Sequence, residues 1–275
     1  MEPIHWDIDP EIFTLFGTFP IKYYGLFFVI GLLLAYEVVK RIYTSENIPV
    51  ENLEKLSTYL FIGTLIGARV GHCLFYDFAY FSKHPLEILL PFQITDGNWR
   101  FTGFAGLASH GAAIGILTTI FLYIRKTKTP FLWLMDRVSI GIPVACAFIR
   151  LGNFMNSEIY GKPTEGNFGV IFVRDDMIPR HPTQLYEAFS FLVVFGLLSY
   201  LYKKKLFVRQ NGFIFGVFLI LMFTARFIIE FSKENQVAFE NSMILNMGQI
   251  LSIPFILMGT ILLIISNKKA KLATL

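Results

Sequence analysis

Apolar residues in this chain are gathered into long runs, and the polar residues are gathered between them. Seven runs stand out: Tyr23–Val39, Ser57–Phe75, Phe104–Ile124, Val138–Phe154, Gln184–Tyr202, Gly212–Phe231 and Met247–Ile265. Each approaches the roughly 20 residues that a helix needs to cross a hydrocarbon layer. A closed barrel would instead show short alternating segments, and open strands in lipid would leave backbone groups unpaired. The pattern predicts an all-α membrane protein with seven transmembrane helices, residues 1–275 forming a single integral domain.

Composition agrees with the pattern. Of 275 residues, 54% are hydrophobic and only 16% charged, against about 25% charged in a soluble domain. The mean hydropathy is +0.56. Basic residues set the orientation, because cytoplasmic connections are enriched in Lys and Arg. One set of connections carries Lys40, Arg41, Lys55, Arg125, Lys126, Lys128, Arg137, Lys203, Lys204, Lys205, Arg209, Lys268, Lys269 and Lys271. The other carries only Lys22, Lys83, Arg100, Lys162, Arg174, Arg180 and Lys233. The richer set predicts the cytoplasmic side, so the N-terminus is expected outside, in the periplasm, and the C-terminus in the cytoplasm. The start, with Glu2, Asp7, Asp9 and Glu11 and no basic residue, does not read as a signal peptide. The net charge of +4 comes mostly from inward-facing anchors and does not imply nucleic acid.

The longer connections, 76–103, 157–183 and 232–246, fall on the predicted outer side and carry Gly, Pro, Asp and aromatic residues. They are expected to form a small structured head over a site. No internal repeat or low-complexity segment is evident. Cys73 and Cys146 sit inside apolar runs, as small buried hydrophobes do.

The remaining three basic residues, Arg69, Arg150 and Arg226, fall within or at the ends of apolar runs. An arginine there is costly unless it faces a partner or a wet cavity. Arg226 and Glu230 are four apart and share a helix face; a stabilising ion pair and a guanidinium held for an anionic ligand both fit. Arg150, Asn153, Asn156 and Glu158 fall within nine residues, a density beyond simple polar glue between helices, with Gly152 and Gly161 permitting close approach. His110 lies beside Gly111 at the start of the third run, as a hydrogen-bonded core residue or as a group suited to proton traffic near neutral pH. Pro182 and Thr183 mark a helix start, with Gln184 and Glu187 projecting from its first turn as capping or binding groups. Gly63, Gly67 and Gly71 repeat every four residues as a close-packing stripe, and Arg69 interrupts it. Tyr24 is an interfacial anchor or a ligand contact.

Together these residues place three Arg, two Asn, a His, a Tyr and two Glu near one interface. Arginine binds a phosphate bidentately without a metal, so a phosphate headgroup is the natural guest. No metal or other cofactor is expected. There is no HExxH and no GxSxG, and neither cysteine is placed as a nucleophile for such a cluster. A group-transfer nucleophile would arrive with the substrate.

The stretch Arg150-Leu-Gly-Asn153-Phe-Met-Asn156-Ser-Glu158-Ile-Tyr-Gly161 resembles the signature of the prolipoprotein diacylglyceryl transferases. His181-Pro-Thr-Gln184-Leu-Tyr-Glu187, Arg226-Phe-Ile-Ile-Glu230-Phe, Gly67-Ala-Arg69-Val-Gly71 with Leu74-Phe-Tyr76, and Ile21-Lys22-Tyr23-Tyr24-Gly25 after Asp9-Pro10 extend the likeness in order from about residue 9 to 250. Ile149, Lys22 and Ala105-Gly106 depart from the usual pattern, at positions touching packing or the interface. The resemblance implies a bacterial inner-membrane enzyme whose site faces the periplasm. Its donor would be phosphatidylglycerol, drawn from the surrounding membrane lipids. Its acceptor would be the lipobox cysteine at the signal peptide of a preprolipoprotein, and its second product glycerol phosphate.

In that frame Arg150 and Arg226 would hold the phosphate, Glu230 would orient Arg226, and Asn153 would join them as a catalytic residue. His110 would assist removal of the thiol proton. Tyr24, Arg69, Asn156, Glu158, Gly161, Gln184 and Glu187 would bind substrate. A transporter or flippase for an anionic phospholipid, or a lipid-binding structural protein, would use the same arginines without breaking a bond.

Overall fold

The computed structural model describes residues 2–17, 19–90, 92–95, 98–101, 106–164, 168–205, 210–235, 240 and 242–272. Phe104, the expected start of the third run, Ala105 and the Arg209 anchor lie outside the described residues. The chain divides into two compact units, Met1–Ile42 with Leu132–Leu275, and Tyr43–Phe131.

Seven long helices account for most of the described chain. They are α1 (Tyr23–Ser45), α2 (Val50–Phe75), α5 (Ser109–Thr127), α6 (Phe131–Met155), α7 (Thr183–Lys203), α8 (Phe213–Ile229) and α9 (Met247–Leu272). Each coincides with one of the seven apolar runs. Five of them are long and apolar enough to cross a membrane: Val50–Phe75, Phe131–Met155, Thr183–Lys203, Phe213–Ser232 and Met247–Asn267. Large apolar side chains remain outward on them, with Phe189 70% and Leu257 57% exposed, as suits helices solvated by lipid.

In the first unit the core lies among α6, α7 and α8, where Ile140, Ala147, Phe191, Leu198, Ile214 and Leu219 are buried together. Gly152 of α6 meets the backbone of Tyr24 so closely that a Cβ there would lie 3.2 Å from the Tyr24 Cα. This contact brings the end of α6 to the start of α1. Away from that end, Asp136 of α6 is 1% exposed. It accepts hydrogen bonds from the Gly212 and Phe215 backbone N–H groups at 2.6 and 2.8 Å. These are unpaired donors of the first turn of α8, so a carboxylate from another helix supplies its cap.

Short strands fill the connections. β1 (Ile4–Trp6) runs parallel to β6 (Val170–Phe172), which pairs antiparallel with β7 (Pro179–Arg180). Val170 and Phe172 bury against Phe154 from the end of α6, with Trp6 packed on the same cluster. A hairpin of β2 (Glu11–Leu15) and β3 (Phe19–Lys22) leads into α1. β6 and β7 lie in the long connection 157–183, whereas β1, β2 and β3 precede α1.

The second unit is built on α2 and α5, joined by two short helices, α3 (Phe78–Phe81) and α4 (Leu86–Leu89), and the hairpin β4 (Phe92–Thr95) and β5 (Asn98–Phe101). The glycine stripe is its seam. A Cβ on Gly67 would collide with the Gly111 carbonyl, and one on Gly115 with the Gly63 carbonyl. Only glycine allows backbones so close.

Candidate functional site

The ends of five helices in the first unit converge on a polar cluster. Tyr24 stands at the start of α1, Arg150 and Asn153 in the last turns of α6, Gln184 and Glu187 in the first turns of α7, and Arg226 in the last turn of α8. Gly248, in the first turn of α9, lies directly against the Glu230 carboxylate, with room for no larger residue.

The order within the cluster begins with Arg150. Its Nε lies 2.8 Å from Glu187 Oε2, and its Nη1 donates to Asn153 Oδ1 at 3.0 Å. Asn153 Nδ2 then donates to Glu158 Oε1 at 2.8 Å, and Asn156 Nδ2 reaches the same oxygen at 3.4 Å. Gln184 Nε2 donates to the Glu158 carbonyl at 2.8 Å. The dense stretch 150–158 thus folds back on itself, with one Glu158 oxygen gathering both asparagines. Tyr24 packs on Gly152 of the same stretch.

Glu187 is 1% exposed and bridges two cations. Its Oε1 accepts from Lys233 Nζ at 3.1 Å, and Lys233 Nζ lies 3.8 Å from Glu230 Oε2. Glu230 therefore faces Lys233, and among the described residues no ion pair joins it to Arg226. The expectation that Glu230 orients Arg226 is corrected here: the helix tightens to a 3₁₀ turn at Glu230–Ser232, which carries the carboxylate toward Lys233. Arg226, in the last turn of α8, is half-buried. Arg226 Nε is buried without a hydrogen-bond partner among the described residues, as are Glu230 Oε2 and Asn156 Oδ1. Such buried polar atoms are costly unless something satisfies them.

Gly161 lies where the segment after α6 pairs antiparallel with the segment after α8. A Cβ there would meet the Ser232 carbonyl at 2.5 Å and the Thr183 Cγ2 at 2.7 Å. Its backbone N–H donates to the His181 carbonyl at 2.8 Å. Its role is close packing around the cluster.

Arg69 and His110 belong to the second unit. Arg69 is 8% exposed, and its guanidinium donates to the carbonyls of Ile88 and Glu87 at 3.1 and 2.6 Å while lying 4.8 Å over the Phe81 ring. It thereby satisfies carbonyls in the last turn of α4. His110 is an exposed residue in the first turn of α5. Lys233 is the member of the cluster that sequence reasoning missed. Its spacing of three from Glu230 was legible, but the extended backbone that turns it inward was not.

The chain is matched over residues 10–265 by the family model for prolipoprotein diacylglyceryl transferase. A phosphatidylglycerol–prolipoprotein diacylglyceryl transferase of Bacteroides fragilis is 48% identical over 267 residues, 97% of this chain and 96% of the relative. Proteins of the same name from Tolumonas auensis and Chloroherpeton thalassium are 46% and 38% identical, each over 96% or more of both chains. With five helices fit to cross a membrane and relatives matched along their length, the chain is a multi-pass membrane protein and belongs to the prolipoprotein diacylglyceryl transferase family.

Proposed function

We propose that this protein transfers the diacylglyceryl group of phosphatidylglycerol to the thiol of the lipobox cysteine of a preprolipoprotein, the first step of bacterial lipoprotein maturation. The cysteine sulfur attacks the glyceryl carbon next to the phosphate. A C–S bond forms, the C–O bond breaks, and the electron pair leaves on the phosphate oxygen of glycerol phosphate. A thiol of ordinary pKa of about 8.5 must first give up its proton, and the departing phosphate needs its growing charge held.

The observation that carries this reading is the pair of arginines near the ends of α6 and α8. Arg150 is braced by Glu187 and Asn153, while Arg226 keeps a buried Nε with no protein acceptor among the described residues. A phosphate oxygen is the acceptor that such a donor calls for. Arg150 and Arg226 hold the phosphate; Asn153, Asn156, Glu158, Gln184 and Tyr24 shape the headgroup subsite; Glu187 and Glu230 hold the cations in place. His110 takes the proton-accepting role, and Arg69 serves the second unit.

All seven long helices span the bacterial inner membrane as one catalytic domain. The N-terminus and the polar cluster face the periplasm, and the C-terminus the cytoplasm. The distribution of Lys and Arg supports this orientation. The test is direct: purified protein is incubated with phosphatidylglycerol and a lipobox peptide. A mass gain of one diacylglyceryl group on the cysteine is expected. Binding of the lipid with no gain would favour a transporter or flippase and overturn the reading.

A further inference from the structure

Arg180 stands outside the polar cluster, yet it is 7% exposed and touches three segments that build it. Its Nε donates to Asp176 Oδ2 at 2.9 Å, and its Nη2 reaches the same oxygen. Its Nη1 donates to Glu234 Oε2 at 2.6 Å and lies 3.5 Å from the Gly161 carbonyl. The guanidinium sits 4.7 Å over the Tyr160 ring. Five donors in a rigid fork suit such a junction, and a lysine ammonium could not reproduce it.

The junction matters because it grips the segment that leaves α8. Beyond the 3₁₀ turn the chain becomes extended, with Lys233 at φ −89° and ψ 144°. Successive side chains of an extended segment point opposite ways. Lys233 therefore turns inward to Glu187 and Glu230, and Glu234 turns outward to Arg180. The same segment is stitched to the one after α6: Gly161 bridges Lys233, the Lys162 N–H donates to the Ser232 carbonyl at 2.9 Å, and Lys162 Nζ donates to the Phe231 carbonyl at 3.0 Å.

We infer that Arg180 is a positioning residue for the reaction, acting through Glu234 to fix the inward placement of Lys233 against Glu187 and so the setting of Arg150. This rests on the proposed transfer reaction. Its chemistry is a clamp on backbone and carboxylate, without contact to the reacting atoms. Glu234 is 46% exposed at its side chain, so the pair adds little as a surface ion pair. The consequence should appear in catalysis more than in stability.

Arg180→Gln, Arg180→Lys, Glu234→Gln and the double variant Arg180→Gln/Glu234→Gln would be purified as full chains and assayed for diacylglyceryl transfer per folded molecule. Misplacement of about 1 Å at a reacting centre costs on the order of 100-fold in rate. Arg180→Gln and Glu234→Gln should each lower kcat by roughly tenfold or more, with the double variant no worse than Arg180→Gln alone, and Arg180→Lys should recover only part of the loss. Unchanged kcat in Arg180→Gln and Glu234→Gln, or losses that simply add, would overturn the inference and leave Arg180 a structural residue. Hydrogen exchange at the Lys162 amide gives a readout independent of activity. It should quicken in Arg180→Gln, and unchanged protection would equally defeat the clamp. If the parent protein transfers no lipid at all, the functional reading fails while the exchange arm still decides the clamp.

Discussion

The Lys233 ammonium donates to Glu187 Oε1 at 3.1 Å, with both side chains almost wholly enclosed, at 3% and 1% exposure. The other Glu187 oxygen lies 2.8 Å from Arg150 Nε. One carboxylate thus ties the end of α6 to the segment beyond α8, and its loss strands two cations. Breaking a buried pair by removing one partner costs about 3–5 kcal/mol. Glu187→Gln is expected to lower the midpoint of denaturant unfolding and to cut transfer by on the order of 100-fold through a displaced Arg150. A variant that matches the parent in both measurements would remove Glu187 from this bridging role.

The glycine seam of the second unit makes a prediction with an internal control. Gly67→Ala drives a methyl into the Gly111 carbonyl, and overpacking of this kind costs about 1–3 kcal/mol. Gly196 of α7 has nothing within 4 Å of its would-be Cβ. Gly196→Ala should stabilise by up to about 1 kcal/mol, because Ala is the better helix former. Thermal unfolding in one detergent should separate the two variants in opposite directions, and equal shifts would refute the seam.

Asp136 supplies the cap of α8 from α6. Asp136→Ala leaves two buried N–H groups unsatisfied, at about 1–3 kcal/mol for each. Stability should fall. The apparent KM for lipid should hold, since this cap lies away from the Arg150 cluster. A changed KM with intact stability would contradict that division.

Protonation tests the Arg180–Asp176 pair. Hydrogen bonds from Arg180 hold the Asp176 carboxyl below its ordinary value. A carboxyl whose folded pKa is depressed adds stability above its unfolded value of about 3.9 and loses it as pH falls through the folded pKa. The parent should therefore lose stability on acidification below about pH 4 more steeply than Asp176→Asn. Parallel pH profiles of the unfolding midpoint would show that this pair contributes nothing.

Much of this architecture was legible in the residues. The seven apolar runs lie on the seven long helices, five of them long and apolar enough to cross a membrane, where a helix has little alternative. Their ends were less legible. α2 begins at Val50 where the run begins at Ser57, since its first turns bury only Leu53 and Leu56 and leave charged residues outward. The stretch from Arg150 to Glu158 was readable as a site because polar residues at the end of an apolar run require partners. The partners were not readable. Glu230 looked bound to Arg226 by helical spacing, but the 3₁₀ turn redirects it to Lys233. Arg69 read as a ligand contact, and the two α4 carbonyls that accept from its guanidinium were not announced by any spacing. Strands of two to five residues, such as β6 and β7, leave too short a period to detect, and they are set by packing on Phe154 and by the Arg180 junction.

His110 carries the proposed role with the simplest kinetic signature. General-base help of this kind contributes about 100-fold or more. His110→Gln should depress transfer by about that factor while the protein keeps its fold. Unchanged transfer would remove it as the base.

The central claim is that guanidinium groups at 150 and 226 hold the phosphate that leaves. The decisive measurement is glycerol phosphate release from phosphatidylglycerol, in the presence of a lipobox peptide, by correctly inserted Arg150→Ala and Arg226→Ala proteins. Each should lose nearly all turnover, by a factor of about 100 or more, while keeping its fold. Near-normal release from both would contradict the account.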